Sequence, residues 1–229
     1  EFEEVTQVLW DEGIDNFHVD VGDGKMIPRR INALDKVTHL RSAFPDSRLH
    51  AHFMVKNPHL VKGGEPSFIE AYAKAGCDGI AVHESAFNNR REFEASINAI
   101  RELGVRPGLL IETNREMSTS LFHTIRDLKI DWVIVMGVPI GFGGQIFDSG
   151  TFGRMASLRN FALSEKIPLL IEVDGGLTSD NLSQCLINGS QLFAGWSIIR
   201  GNDTDELRMK IRHINEIIAR TTEQSSHGD

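Results

Sequence analysis

The sequence has little of several features that would assign a protein to a class at once. It has only two cysteines, Cys77 and Cys185, and no CxxC motif, so neither a disulfide scaffold nor a thiolate zinc site is expected. The longest apolar run, at 132–136, is far shorter than the roughly 18 residues of a membrane span. The acidic start, EFEEVTQVLW, is unlike a secretory signal. These absences predict a cytoplasmic protein that does not use a membrane.

The chain also lacks a surplus of positive charge. Its 24 Lys and Arg residues face 32 Asp and Glu residues, which gives a formal net charge of −8 at pH 7. A nucleic-acid binder needs cations to neutralise phosphates, so nucleic acid is not an expected partner. With 41% hydrophobic residues among 229, the chain has enough apolar material for a full core.

Short apolar, β-branched runs recur along the chain and alternate with helical patterns. Their midpoints lie about 29 residues apart, the length of one strand, one crossover helix and two loops. The predicted strands lie at 16–21, 49–55, 79–83, 107–112, 132–136, 168–173 and 190–194. Amphipathic stretches at 68–76, 91–104 and 180–189 each end in glycine, as helices commonly do. The alternation predicts a parallel α/β sheet, either doubly wound or closed as a barrel.

The position of the glycines favours the barrel. A Rossmann fold would carry GxGxxG after its first strand, and the sequence has no such motif. The glycines instead follow three late strands, where barrels build phosphate sites. We therefore predict a TIM (β/α)8 barrel. A helix at 1–13 precedes the seven strands, so we expect the first strand to lie before residue 1. We predict one barrel domain over 1–220, with its last helix at about 203–220, and a polar, disordered tail over 221–229.

Two histidines and two aspartates are candidate metal ligands. His18 and Asp20 are two residues apart on one predicted strand, and His52 lies on the next. Asp174 ends a later strand, just before two glycines. Side chains at i and i+2 share a face of a strand, and barrel sites gather where strands end, so these four side chains can converge. Two nitrogen and two oxygen ligands suit Zn²⁺, and the set also suits Mn²⁺, Fe²⁺ or Co²⁺. If no metal binds, the ordinary interpretation of a histidine on a strand is a packed, hydrogen-bonded residue.

The glycine clusters are candidate phosphate sites. They comprise Gly141, Phe142, Gly143 and Gly144, then Gly175 and Gly176, then Gly195 with Trp196. Bare backbone N–H groups bind phosphate without requiring Lys or Arg, which would reconcile a phosphorylated substrate with an acidic chain. A single cluster of this kind is usually an ordinary turn.

The segments FHVDVGDG, HFMV, GCDGIAVHE, VMGVPIGFGGQ, IEVDGG and AGWSI resemble the ribulose-phosphate 3-epimerase family, in that order from about residue 16 to 200. The resemblance implies a metal-dependent barrel that interconverts D-ribulose 5-phosphate and D-xylulose 5-phosphate at C3. It implies that His18, Asp20, His52 and Asp174 hold the metal and that Asp20 and Asp174 are the acid/base pair. The glycine clusters and Trp196 fall at phosphate-contacting positions.

Three further residues are pocket candidates with a second interpretation. Met54 and Met136 match methionines that line the family's pocket, but core filling is nearly as good an interpretation. His83 ends its predicted strand at the level of the pocket, where it would either touch substrate or have a structural role.

The sequence departs from the family in the residues that face the substrate. Gly22 replaces a methionine of the family's H-x-D-x-M-D-G motif, which would remove one wall of the pocket. Glu112 and Thr113 replace the usual Asn/Lys-Pro pair, and Trp196 occupies a Ser/Thr position beside the phosphate.

These departures leave two alternatives open. One is an epimerase for another phosphorylated ketose, such as a ketohexose 6-phosphate, and the other is a barrel that binds sugar phosphate without turnover. A decarboxylase-type barrel would carry a DxKxxD pattern, which HFMVKNP does not offer. We expect a phosphorylated ketose as the substrate and a homo-oligomer as the assembly.

Overall fold

A computed structural model describes residues 2–61 and 63–226. Over these residues the strands are β1 (Asn16–Asp23), β2 (Arg30–Ile31), β3 (Arg48–Met54), β4 (Gly79–His83), β5 (Arg106–Ile111), β6 (Trp132–Met136), β7 (Leu170–Asp174) and β8 (Leu192–Ala194). The α-helices are α1 (Phe2–Asp11), α2 (Leu34–Ala43), α3 (Phe68–Ala75), α4 (Arg90–Glu102), α5 (Thr119–Asp127), α6 (Gly150–Glu165), α7 (Ser179–Ile187), α8 (Trp196–Ile199) and α9 (Thr204–Ser226). All seven predicted strands are present, and the predicted α/β alternation is confirmed.

The contacts divide the chain into two compact units. The first unit comprises Asp15–Glu112 and Ser118–Ile134, and the second comprises Glu1–Ile14, Thr113–Met117 and Val135–Asp229. In the first unit the strand order is β2-β1-β3-β4-β5, and β1, β3, β4 and β5 pair in parallel.

The short strand β2 was missed by the sequence prediction. It pairs antiparallel with the end of β1, with Gly22 opposite Ile31 and Asp23 opposite Arg30. Two residues are too few to show an alternating pattern. The pairing extends β1 to Asp23, two residues beyond its predicted end.

A single tryptophan determines the packing inside the first unit. Trp132 is fully buried, and its ring lies 4.4 Å from that of His50 between ring centroids. Gly79 and Gly108 face this ring, where an added Cβ would lie 2.8 and 2.4 Å from its atoms. Because any side chain at these two positions would overlap the indole, the glycines of β4 and β5 are required by packing.

Helices α3 and α7 begin at side-chain N-caps. Ser67 caps α3 in a capping box with Glu70, and Thr178 caps α7 with Asn181. Gly76 ends α3 in the left-handed conformation, at φ 105°. These caps satisfy backbone groups that the helix ends leave unpaired, which fixes where each helix starts and stops.

In the second unit, β7 and β8 pair in parallel, and α9 packs on both α1 and α7. The carboxylate of Glu12, just after α1, binds the guanidinium groups of Arg208 and Arg212 on α9 at 2.9 Å. Hydrogen bonds from Arg212 and Arg208 lower the pKa of Glu12 to about 2.

Helix α9 runs through Ser226, so the prediction that the polar segment after residue 220 is disordered was wrong for 221–226. Thr221 is buried and its hydroxyl is hydrogen-bonded to the hydroxyl of Ser183 on α7. This contact stabilises the helix beyond residue 220. Residues 227–229 lie outside the described part. Among the described residues, no helix is both long and apolar enough to span a membrane.

Candidate active site

The parallel register of β1 and β3 brings the first candidate ligands together. Asp20 lies opposite His52, and His18 lies opposite His50. His18 and Asp20 share one face of β1 because they are two residues apart, so both can meet His52 on the neighbouring strand. The structure therefore places His18, Asp20 and His52 in one cluster, as predicted.

The cluster has the spacing of metal ligands. Oδ1 of Asp20 lies 3.4 Å from Nε2 of His18 and 3.3 Å from Nδ1 of His52. Ligand atoms bound at about 2.0–2.1 Å in a tetrahedral site lie about 3.3–3.4 Å from each other. The ligand atoms of the three residues lie within 4.8 Å of one another. Two imidazole nitrogens and a carboxylate oxygen at these distances are compatible with a divalent metal ion.

The electrostatics of the cluster favour a charged Asp20. His52 is buried, whereas half of the Asp20 side chain is exposed. Burial alone would raise the pKa of Asp20, but the imidazoles of His18 and His52 outweigh it, and the pKa is lowered well below its usual range. The carboxylate is thus available as an anionic ligand at neutral pH.

His52 is also part of a longer hydrogen-bonded chain. Its Nε2 lies 3.0 Å from Nε2 of His83, and Nδ1 of His83 lies 3.1 Å from Oε1 of Glu112. His83 is fully buried. The same Glu112 oxygen accepts a bond of 2.6 Å from the Ser85 hydroxyl. Hydrogen bonding from His83 lowers the pKa of Glu112 to about 2, although burial opposes the shift and Ser85 assists it.

In the sequence, Glu112 stands out only as a departure from the family pattern. Its position carried a signal, because Glu112 directly follows β5 and His83 ends the neighbouring strand β4. Residues at the carboxyl ends of adjacent parallel strands meet at one edge of a sheet, so a His–Glu contact could have been predicted.

Asp174 is the last residue of β7 in the second unit, as predicted, and is partly buried. Its backbone carbonyl accepts a hydrogen bond of 2.6 Å from the N–H of Gly137. Gly175 and Gly176 follow it at φ 92° and 69°, a conformation that favours glycine. At Gly137 an added Cβ would lie 2.1 Å from the carbonyl oxygen of Gly175, so the two backbones approach too closely for any side chain.

The other predicted phosphate positions also lie in the second unit. Gly141 and Gly144 have φ of 112° and 77°, and the amide of Gln145 closes the loop by donating to the carbonyls of Pro139 and Phe142. Phe142 is exposed, and an added Cβ at Gly143 would meet nothing within 4 Å. The loop thus presents open backbone.

Gly195 is the residue before helix α8, and about half of the side chain of Trp196, the first residue of α8, is exposed.

The remaining candidates are largely interior residues. Met54 and Met136 are 4% and 3% exposed. Gly22 does not open a gap in the pocket wall, because the space beside it is filled. An added Cβ would lie 2.9 Å from Cδ1 of Ile27 and 2.8 Å from the carbonyl oxygen of Arg29. The buried Ile27 therefore occupies the space that a side chain at Gly22 would need.

Solved structures with the same architecture include 3-keto-L-gulonate-6-phosphate decarboxylase from Vibrio cholerae. The two chains are 18% identical, with a TM-score of 0.63, over 96% of this chain and 93% of the other. At that identity the likeness shows the fold, which is the TIM-barrel type of α/β fold that the sequence predicted. The fold and the His/Asp cluster define a barrel enzyme compatible with a divalent metal.

The sequence comparisons are more specific. The model of the ribulose-phosphate 3 epimerase family matches residues 1–199. Ribulose-phosphate 3-epimerase from Bacillus subtilis is 30% identical over 82% of this chain and 81% of its own length. The enzyme of that name from Aquifex aeolicus is 26% identical over 88% and 85%. The chain belongs to the ribulose-phosphate 3-epimerase family and is therefore an isomerase of the epimerase class.

Proposed function

We propose that this protein interconverts D-ribulose 5-phosphate and D-xylulose 5-phosphate, with a divalent metal held by His18, Asp20, His52 and Asp174. The observation that carries the proposal is the cluster of His18, Asp20 and His52 at metal-ligand spacing in a chain of this family. Asp174 is the fourth ligand by its match to the family motif and its place at the end of β7. Two imidazoles and two carboxylates favour Zn²⁺.

The reaction moves one proton off C3 and returns one to the opposite face. A divalent ion bound to the four residues would polarise the C2 carbonyl and stabilise the negative charge of the enediolate. One carboxylate of the pair Asp20 and Asp174 takes the C3 proton, the C–H electrons form the C2–C3 double bond, and the π electrons of the C2 carbonyl move onto its oxygen. The other carboxyl group, in its protonated form, delivers its proton to C3 from the other side. The two aspartates exchange these roles when the reaction runs in reverse.

The phosphate group is bound by backbone rather than by cationic side chains. Gly141, Gly143 and Gly144 form an open loop, Gly175 and Gly176 follow β7 with positive φ, and Gly195 precedes α8. Backbone N–H groups of such segments bind phosphate oxygens. Phe142 and Trp196 flank these segments with exposed aromatic surface. Met54 and Met136, by their match to the family's pocket positions, and His83, at the end of β4, are the candidates for contact with the sugar.

Two further expectations concern the location of the protein and its assembly. We place the enzyme in the cytoplasm because Cys77 and Cys185 are free, buried thiols and form no disulfide. We expect a homo-oligomer, which light scattering or sedimentation would measure.

A substrate panel tests the function. The zinc-loaded protein is incubated with D-ribulose 5-phosphate and, separately, with ketohexose 6-phosphates, and the C3 epimers are separated and quantified. We expect epimerisation of the pentulose phosphate at least about tenfold faster, in kcat/KM, than of any hexulose phosphate. Turnover confined to a hexulose phosphate would replace the proposed substrate, and bound phosphosugar without turnover would refute catalysis.

A further inference from the structure

His52 belongs to a chain of hydrogen bonds that leads away from the candidate metal ligands, and binding of a metal does not by itself require such a chain. It runs from Nε2 of His52 to His83 and from Nδ1 of His83 to Glu112. His83 is fully buried, and all three residues belong to the first unit. A histidine that binds a metal through one ring nitrogen normally donates its other N–H to a partner, which fixes its tautomer and its orientation.

The positions of the protons follow from the donors and acceptors once a metal takes the Nδ1 lone pair of His52. The Nε2 of His52 then carries the hydrogen and donates it to Nε2 of His83. His83 can accept there only in the tautomer whose hydrogen is on Nδ1. That hydrogen points at Oε1 of Glu112, which accepts it. Glu112 is thus the residue that selects the required tautomer of His83.

We propose that Glu112 is a positioning residue of the metal site, acting through His83 to hold the Nδ1 lone pair of His52 towards the ion. The proposal rests on the proposed function only in taking His52 as a ligand. The Ser85 hydroxyl also donates to the same carboxylate oxygen, but the acceptor that His83 requires is the Glu112 carboxylate itself.

The arrangement makes a prediction about metal affinity. Without an acceptor at position 112, the tautomer of His83 with hydrogen on Nδ1 loses the bond to Glu112 that stabilises it, and only that tautomer can accept from His52. The loss of a partner behind a metal-binding histidine typically costs about 10–100-fold in metal affinity. We expect Glu112→Leu to weaken Zn²⁺ binding about tenfold. Glu112→Gln keeps the size and one acceptor oxygen, and should weaken it less, by about threefold.

Two matched controls separate this role from general damage to the interior. Ser85→Ala removes the other hydrogen bond to the same Glu112 oxygen but leaves the acceptor. His50→Gln changes another buried histidine of β3, the strand of His52. His50 packs on Trp132 and is not one of the three residues His52, His83 and Glu112. Both variants should bind Zn²⁺ within about twofold of wild type.

The experiment has two readouts. The dissociation constant for Zn²⁺ is measured by competition with a chelator, and the tautomers of His52 and His83 in the zinc-loaded protein are determined from long-range ¹H–¹⁵N NMR spectra. We expect His52 bound through Nδ1 with hydrogen on Nε2, His83 with hydrogen on Nδ1, and loss of the latter signature in Glu112→Leu. Unchanged affinity in Glu112→Leu, or hydrogen on Nε2 of His83 in the wild type, would overturn the proposal.

The proposed reaction is judged separately. An epimerase assay on the same preparations decides it, because zinc binding and tautomers are measured without substrate. If the wild type binds zinc with the expected tautomers and does not epimerise, the proposed function fails while the role of Glu112 stands. If it epimerises and Glu112→Leu binds zinc normally, the reverse holds.

Discussion

The strands of the first unit that carry the candidate ligands and the glycine segments of the second unit are built in opposite ways. On β1 and β3, the side chains of His18, Asp20 and His52 face one another, in register across a parallel pair. The loop at 141–144 instead has glycine at three of its four positions, and an added Cβ at Gly143 or Gly144 would meet nothing within 4 Å. One region uses side-chain donors fixed by a sheet, and the other uses backbone freed by glycine. Under the proposed function, this is how an acidic chain would bind both a cation and a phosphate.

The largest expected effect comes from the carboxylates. Asp20→Asn and Asp174→Asn should each reduce kcat/KM by at least about 10³-fold, because an amide neither accepts the C3 proton nor returns it. Circular dichroism should show that both variants keep their fold. Asp15→Asn, which changes an exposed carboxylate just before β1, is the control and should retain activity. Near-normal epimerisation by either site variant would rule out the assigned pair.

A smaller effect is expected where the backbone of the second unit is tightly packed. Gly137→Ala would put a Cβ 2.1 Å from the carbonyl oxygen of Gly175. Overpacking of this kind costs about 1–3 kcal/mol of stability. Displacement of the 175–176 segment should also raise KM for the phosphorylated substrate, by about tenfold. Gly153→Ala on α6 is the matched control, because an added Cβ there meets nothing within 4 Å. Denaturant unfolding measures the stability of the two variants, and steady-state kinetics measure their KM. Equal stability and equal KM in the two variants would contradict a role for the close approach of Gly137 to Gly175.

The smallest effect concerns the helices of the second unit and depends on pH. The pKa of Glu12 is lowered from 4.5 to about 2 by its bonds to Arg212 and Arg208. Because the folded-state pKa is the lower one, this stabilisation is present above about pH 4.5 and is lost as the pH falls towards 2. Glu12→Gln should therefore lower Tm slightly at pH 7 and leave it unchanged near pH 2. Glu216→Gln, which breaks an exposed pair with Arg220 on α9, should change Tm less at either pH. A Glu12→Gln effect that is as large at pH 2 would contradict this account.

The sequence predicted the strands well because their residues are constrained by periodicity and burial. His18, Asp20 and His52 were predictable as a cluster, since spacing along a strand and parallel register are simple rules. Asp174 was likewise predictable as the end of a strand before two glycines.

The parts that sequence reasoning missed depend on tertiary contacts. The two-residue strand β2 exists through its pairing with β1 and has no pattern of its own. The filling of the space beside Gly22 by Ile27 depends on the path of the segment after β1. The bond between His83 and Glu112 is the exception, because these residues end neighbouring parallel strands and their contact was open to prediction. Helix α9 continues past its predicted end because the hydroxyl of Thr221 is hydrogen-bonded to Ser183 on α7.

Exchange of the C3 proton with solvent tests the central claim most directly. Zinc-loaded protein is incubated with D-ribulose 5-phosphate in D₂O, and deuterium at C3 is followed by NMR in both pentulose phosphates. Proton transfer by two carboxylates predicts deuterium at C3 of D-xylulose 5-phosphate, loss of this exchange when zinc is removed by a chelator, and its return when zinc is added back. Epimerisation without any deuterium at C3, or exchange that is unaffected by metal removal, would contradict it.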